Sequence, residues 1–368
     1  MRESAVVWVV NSYHLGGWAG LQAGLKTTTP RLLLDSRWVE AKAGALLAST
    51  NLRGHWPADV WITGNYPTNC MHQKQRKITH FFKGIGVSLA RLTLVTQRRG
   101  AFRRISLFRH PELGKILVLD GEIQHVEAWA PLYHEPLVHL PASFVNEVRN
   151  VLILGGGPLY AASEALKYKS VKRVVLIDHD PHITEVVARY YPHARKCLKD
   201  RRFTLLHEDA YAALPRLGQQ FDLVINDGSD LLSVNSRTRQ GGVASNLFSA
   251  MTAALTPQGA CADVIQRHVF ERRGMLLTSN RLGPRLRVAL SLMFLPEYHG
   301  VLHILAIWGR RHSQVKQTPA RLANAEQSRW IRDPECSPCL YYDPRFLRYY
   351  FYLPRYLKNV MTVKRRAV

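Results

Sequence analysis

The chain has 368 residues, 46% of them hydrophobic, enough apolar side chain for one large domain or two modest ones and too much for a disordered chain. Its formal net charge of +23 is concentrated: eleven Lys or Arg face the single acid Glu112 between Met71 and Lys115, and thirteen face four acids from Gly309 to Val368. Such fields attract anions, whether nucleic acid, acidic lipid or an acidic protein, without naming which.

Residues 1–90 are rich in turn formers, as in Leu15-Gly16-Gly17-Trp18 and Gly64-Asn65-Tyr66-Pro67, and have poor periodicity; they read as an N-terminal extension of unassigned role. The apolar run Ala5–Val10 is too short for a secretory leader and nothing approaches a membrane span, so a cytoplasmic location is expected. From Arg91, three strand-like runs (Arg91–Gln97, Arg103–Arg109, Lys115–Leu119) separated by turn signals predict a small antiparallel β unit. A helix around Pro131–Leu140, ended by Pro141, completes a β domain and gate segment over residues 91–140.

Strands and helices then alternate: Val151–Leu154, Tyr160–Tyr168, Arg173–Asp178, Ile183–Tyr191, Phe203–Asp209, Tyr211–Leu217, Phe221–Asp227, Leu247–Leu255 and Cys261–Gln266. This pattern predicts an α/β domain over residues 141–360, with a mostly parallel, doubly wound, Rossmann-like sheet, followed by a basic tail at 361–368. Such sheets bind ligands beyond the carboxyl ends of their strands, so Gly155, Asp178, Asp209 and Asp227 are expected to face one cleft.

The strand Val151–Leu154 runs into Gly155-Gly156-Gly157, a turn that lets a cofactor approach the backbone at a helix N-terminus; as a motif alone it reads equally as a tight structural turn. Asp178, about 20 residues on, is where an acid takes the two hydroxyls of a ribose. Asp209 reads either as an acceptor for an adenine amino group or as the N-cap of the next helix. Asp227 and Asp230, on one loop at the cleft mouth, suit an amine-bearing substrate, one carboxylate holding the amine and the other receiving its proton. The five cysteines are expected to be free thiols; Cys336 and Cys339 form one C-x-x-C, with no second pair to complete a zinc site, and no metal is expected.

Together these motifs resemble the spermidine synthases, the polyamine aminopropyltransferase family. Gly114–Gln124 is similar to the strand and turn before that family's active site, and Tyr133-His134-Glu135 to its Tyr-Gln-Glu. The glycine triplet, Ile177–Asp180, Glu208-Asp209-Ala210 and Asp227–Asp230 follow at the family's intervals. Trp308-Gly309, Leu340–Pro344 and Tyr352-Leu353-Pro354 resemble its closing motifs.

The resemblance spans Leu92 to Tyr356. It implies an S-adenosylmethionine-type sheet, a decarboxylated S-adenosylmethionine donor, a small amine acceptor, no metal and a homo-oligomer. Carried over by position, Asp227 is the proton acceptor with Tyr133 beside it, Asp230 holds the substrate ammonium, Asp178 takes the ribose and Asp209 the adenine. Gly155, Gly156, Gly157, Gln124, Arg103 and His134 fall at donor-contacting positions.

Pro158 stands where the family has an acid, Trp129-Ala130 where it has an acidic pair, Arg103 and His134 where it has glutamines, and Leu302 nearest to where it has a late tyrosine. These departures keep two alternatives open. One is methyl or aminocarboxypropyl transfer from intact S-adenosylmethionine, with Arg103 admitting its carboxylate. The other is a non-catalytic nucleoside- or nucleic-acid-binding protein, with an anionic partner on the basic clusters at Lys74–Lys83 and Lys364–Arg366.

Overall fold

A computed structural model describes residues 76–82, 85–218, 221–228, 239–268, 286–298, 301–316 and 339–355. The readings made for residues 1–75, Asp230, Cys336 and the basic tail lie outside the described residues.

The small β unit is a five-stranded antiparallel sheet in chain order: β1 (Arg76–Phe82), β2 (Ile85–Arg99), β3 (Arg104–His110), β4 (Gly114–Leu119) and β5 (Glu122–Val126). It begins earlier than the sequence pattern indicated, so the boundary expected after residue 90 falls inside β2. Lys77, Thr79, Ser88 and Ala90 alternate with Ile78, Val87 and Leu89, but glycines and polar residues interrupt the apolar face. Antiparallel pairing of β1 with the first half of β2, from Arg76 opposite Leu92 to Phe82 opposite Ile85, and not local pattern, fixes this stretch as strand. Leu92, Phe108, Ile116, Val118, Ile123 and Val126 bury one face of the sheet as its own small core.

A 3-10 turn (Glu127–Trp129) leads into α1 (Ala130–Ala142). This helix continues through Pro136 and Pro141 instead of ending at the latter, and it spans the expected boundary at 140/141. Each proline removes one backbone donor. Leu137, Val138 and Leu140 are fully buried around them, and that packing holds the helix together.

The remainder follows the expected alternation: β6 (Asn150–Gly155), α2 (Tyr160–Ala165), β7 (Arg173–Ile177), α3 (Pro181–Tyr190), α4 (Pro192–Lys199), β8 (Phe203–Leu206), α5 (Ala210–Leu217), β9 (Phe221–Asp227), α6 (Arg239–Ala254) and β10 (Leu255–His268). β11 (Arg287–Met293) and β12 (Val301–Gly309) complete a seven-stranded sheet of order β11-β12-β10-β9-β6-β7-β8. β8, β7, β6, β9 and β10 run parallel, and β12 is antiparallel to both β10 and β11. Side chains alternate across it: Val151, Ile153, Leu223 and Ile225 enter one apolar layer, and Leu152, Leu154 and Val224 the other.

The chain leaves β6 toward β7 and β8 and returns to β6's other side as β9. That reversal is the topological switch point where a ligand crevice opens. The register brings the strand ends level, with Gly155 opposite Asp227 and Leu154 opposite Ile177.

Candidate active site

A cavity of about 600 Å³ lies over this switch point. Its lining includes Gly155, Gly156, Gly157, Asp178, Asp209, Asp227, Tyr133, His134, Gln124 and Arg103, so the structure brings together every sequence-predicted site residue that it describes.

The glycine turn is shaped for close approach. Gly155 and Gly156 have φ of +76° and +81°, a region that other L residues rarely adopt. A Cβ on Gly156 would lie 2.6 Å from Asp227 Oδ2, and one on Gly157 would lie 3.1 Å from Asp178 Oδ2. Bare backbone at these two positions leaves room for both carboxylates. Asp178 is buried, and its Oδ1 accepts from the Asp180 amide at 3.0 Å. Asp209 has the N-cap role: its Oδ1 accepts from the amides of Tyr211 (2.7 Å) and Ala212 (3.2 Å) at the start of α5. The cap holds Asp209 at the cavity wall, so capping and ligand contact are compatible.

Asp227 is the centre of the arrangement. Its side chain is 5% exposed, and burial, with the nearby Asp178 charge adding, pushes its pKa up to about 7 against the opposing hydrogen bond from Tyr133. Oδ2 has no hydrogen-bond partner among the described residues. Tyr133 donates its hydroxyl to Asp227, and burial together with that carboxylate keeps the phenol protonated.

His134 Nδ1 donates to the Ala130 carbonyl at 3.0 Å, which leaves Nε2 as a bare acceptor 3.9 Å from Asp227 Oδ2. Burial lowers this imidazole's pKa to about 4, so the contact is polar, not an ion pair. His134 is held by stacking on Tyr160 (ring centroids 5.2 Å apart), which in turn lies 3.7 Å from His193.

Arg103 and Gln124 are at the rim. Arg103 is half-exposed and pairs with Glu122 at 3.4 Å. Asp180, the N-cap of α3, also reaches the β unit, where the Ala101 amide donates to it at 3.4 Å. That contact fixes the turn carrying Phe102 and Arg103 over the crevice.

Three buried groups had no signal in the sequence reading. Glu297 and Tyr298, from the turn after β11, line the cavity, and burial raises the Glu297 carboxyl's pKa to about 7. Tyr298 lies four residues before Leu302, so this stretch does supply a tyrosine to the cavity. His125, on β5, is buried between Tyr160 and Tyr191 and its pKa is lowered, by burial first.

Cys339 lies in a separate polar cluster. Glu164 is 2.9 Å from His139 Nε2 and 2.6 Å from Lys167 Nζ, and Cys339 Sγ is 3.4 Å from the same His139 nitrogen. Burial alone would raise the Glu164 carboxyl, but His139 and Lys167 hold it at about 2.

Nearby, Glu135 accepts the backbone amides of Leu340 (2.8 Å), Tyr341 (2.8 Å) and Tyr342 (2.7 Å). The clamp ties that segment to α1, two residues from Tyr133. Among the described residues no helix is long and apolar enough to cross a membrane.

Comparison with known proteins agrees with this geometry. Residues 130–318, just over half of the chain, match the spermine/spermidine synthase domain family. Polyamine aminopropyltransferase 1 of Aquifex aeolicus is 36% identical over 137 residues, 37% of this chain and 49% of that protein. The polyamine aminopropyltransferase of Sulfolobus acidocaldarius is 24% identical over 276 residues, 74% of this chain and 89% of that protein. The chain spans about half the length of the Aquifex aeolicus and Lachnospira eligens relatives it matches.

The spermidine synthase of Thermotoga maritima has the same fold, with a TM-score of 0.65 over 79% of this chain and 95% of that one at 21% identity. A spermidine synthase in complex with the transition state analogue AdoDATO superposes equally well, with a TM-score of 0.65 at 22% identity. With its sheet, its glycine turn and its strand-end acids in place, the chain belongs to the spermine/spermidine synthase domain family.

Proposed function

We propose that the protein transfers an aminopropyl group from decarboxylated S-adenosylmethionine to an amine acceptor, releasing methylthioadenosine. The observation that carries this reading is Asp227: a buried carboxylate with one unpartnered oxygen, braced by Tyr133, beside a glycine turn with no side chains in the way. The names of the relatives and the bound analogue of the structural neighbour support it.

The crevice fits a nucleoside donor. Asp178 accepts the ribose hydroxyls, Asp209 lies at the adenine end, and Gly155, Gly156 and Gly157 admit the ligand against the backbone. Gln124, Arg103 and His134 line the side facing the β unit. The donor's sulfonium makes the adjoining propyl carbon electrophilic. The acceptor's uncharged nitrogen forms the new N–C bond with its lone pair, the C–S bond breaks with its electrons going to sulfur, and Asp227 takes the proton lost from nitrogen. Tyr133 orients that carboxylate, and neutral His134 offers an acceptor without adding a competing positive charge. Asp230, lying outside the described residues, is assigned the acceptor's ammonium by position alone.

Arg103, the residue that would admit the carboxylate of intact S-adenosylmethionine, is paired with Glu122, and neither this nor the named relatives favour methyl or aminocarboxypropyl transfer. The test is to supply decarboxylated or intact S-adenosylmethionine with a panel of amines and detect methylthioadenosine and S-adenosylhomocysteine by mass spectrometry. Methylthioadenosine from the decarboxylated donor alone is expected. S-adenosylhomocysteine, or methylthioadenosine from intact donor, overturns the assignment.

A further inference from the structure

The polar cluster around Glu164 is separate from the crevice, which neither His139, Glu164 nor Cys339 lines. Three elements bring it together: His139 comes from α1, Glu164 from α2, and Cys339 from the start of the segment that the Glu135 clamp holds. His139 is fully buried, Glu164 and Lys167 are nearly so, and Cys339 is partly exposed. Gathering such groups away from water is costly unless something satisfies them together. The transfer reaction proposed above uses none of them.

Three donor atoms converge. His139 Nε2 lies 2.9 Å from Glu164 Oε2 and 3.4 Å from Cys339 Sγ, and that sulfur lies 3.9 Å from the same carboxylate oxygen. A nitrogen, a sulfur and an oxygen bound to one tetrahedral zinc ion, at bonds of about 2.0–2.3 Å, are separated from one another by roughly 3.4–3.6 Å. The separations found here straddle that range, and three atoms so spaced share a centre about 2.0 Å from each. An ion slightly off their plane reaches all three at bonding length with little movement of the side chains.

The surroundings suit such an ion. The other ring nitrogen of His139 is 2.9 Å from Tyr168 Oη, the kind of partner that orients a metal-bound imidazole and fixes its tautomer. Glu135 holds the three amides that follow Cys339, which positions the sulfur, and its charge also acts on His139, Lys167 and Cys339, helping to offset a divalent cation. Lys167 is the competitor, with its Nζ 2.6 Å from the Glu164 oxygen that faces His139 and Cys339. A divalent ion takes over that oxygen and leaves the ammonium the second oxygen of the carboxylate.

We propose that His139, Glu164 and Cys339 bind a single zinc ion, which ties α1, α2 and the segment after residue 338 together outside the catalytic crevice. A thiolate beside an imidazole and a carboxylate selects zinc over magnesium or calcium, which take oxygen ligands. On binding, the Cys339 thiol gives its proton to solvent and its sulfur bonds the ion. The imidazole proton resides on Nδ1, donated to Tyr168 Oη, so that Nε2 offers its lone pair. No electron is transferred, and three protein ligands leave the fourth position to water. Cys336, the other half of the C-x-x-C, lies outside the described residues and is not counted in the set.

The experiment titrates the full chain, freed of metal with a chelator and then dialysed, with cobalt(II). Thiolate-to-cobalt charge transfer reports the sulfur ligand, and the visible ligand-field bands report tetrahedral geometry. One equivalent should produce both, and zinc should then abolish them and raise the unfolding temperature. Cys339→Ser should remove the charge-transfer band, Glu164→Gln should weaken cobalt binding about tenfold or more, and Cys197→Ser, at a buried thiol elsewhere, should change neither. Lys167→Gln should tighten binding, because it removes the competing positive charge. Cys339→Ser exchanges one atom at a partly exposed position and keeps the test decisive should Glu164→Gln fail to fold. Absence of the charge-transfer band at one equivalent, or its persistence in Cys339→Ser, overturns the site and leaves the cluster a closed hydrogen-bond network.

Discussion

The tightest test of the site's geometry is one methyl group. In Gly156→Ala the new Cβ would sit 2.6 Å from Asp227 Oδ2 and 3.3 Å from Asp227 Cβ and Cγ. Rotating the carboxylate relieves the first contact but not the other two. Ordinary contact begins near 3.4 Å, so Asp227 Oδ2 must move by about 0.8 Å, whether the carboxylate rotates or Asp227 and the turn separate. A displacement near 1 Å costs on the order of 100-fold in a positioned reaction.

The substitution also places an L residue at φ +81°, with a backbone penalty of roughly 1–2 kcal/mol. Gly121→Ala isolates that second effect: Gly121 has φ +91°, and a Cβ there meets nothing within 4 Å. Both variants should lose similar stability in urea denaturation, while methylthioadenosine release falls about 100-fold in Gly156→Ala and stays near wild type in Gly121→Ala. If the two variants retain equal activity, the placement of Asp227 against the glycine turn does not control the rate.

Other outcomes follow from the same charges. Because Asp227 must be ionised to take a proton and burial pushes its pKa to about 7, kcat/KM for the acceptor should decline below that pH more steeply than acceptor protonation alone dictates. A profile that tracks only the acceptor's own ionisation would remove Asp227 as the base. Asp227→Asn should abolish turnover while donor binding, measured by calorimetry, stays largely intact. A carboxyl whose pKa is raised on folding penalises the native state once pH exceeds its unfolded value. Asp227→Asn should therefore unfold at higher temperature than wild type above pH 7 and lose that advantage progressively as pH falls from about 7 toward the unfolded value of 3.8; an advantage independent of pH would contradict the assigned ionisation. Glu135→Gln replaces one of two oxygens that together accept three amides, leaving a buried N–H without an acceptor. Chemical denaturation should show a loss of about 2–4 kcal/mol, and a loss under 1 kcal/mol would mean the clamp contributes little.

Much of the site was readable along the chain because a parallel sheet converts sequence position into spatial position. A strand of apolar residues ending in a glycine or an acid must deliver that residue to the carboxyl edge, and Gly155, Asp178 and Asp227 obeyed this without further information. Two kinds of feature were not readable. Residues 76–90 become strands by pairing β1 with the first half of β2, their own pattern being broken by glycines and polar residues, and α1 runs through prolines that sequence logic treats as stops. Glu297 and His125 were missed for a related reason: nothing in Leu295-Pro296-Glu297-Tyr298 or Gln124-His125-Val126 distinguishes a surface polar residue from one sealed against a cavity. Their burial comes from elements remote in sequence that close over them.

The Glu135 clamp bears on the order in which the protein is made. Glu135 and Leu340 are separated by 205 positions, which at ~5–20 residues per second means ~10–40 s of synthesis between them. Over that interval the nascent chain holds α1 with its carboxylate uncapped and the Tyr133 turn unsupported from below. Docking of residues 339–355 onto α1 is then a late event in folding, because the clamp cannot close until those residues have been made.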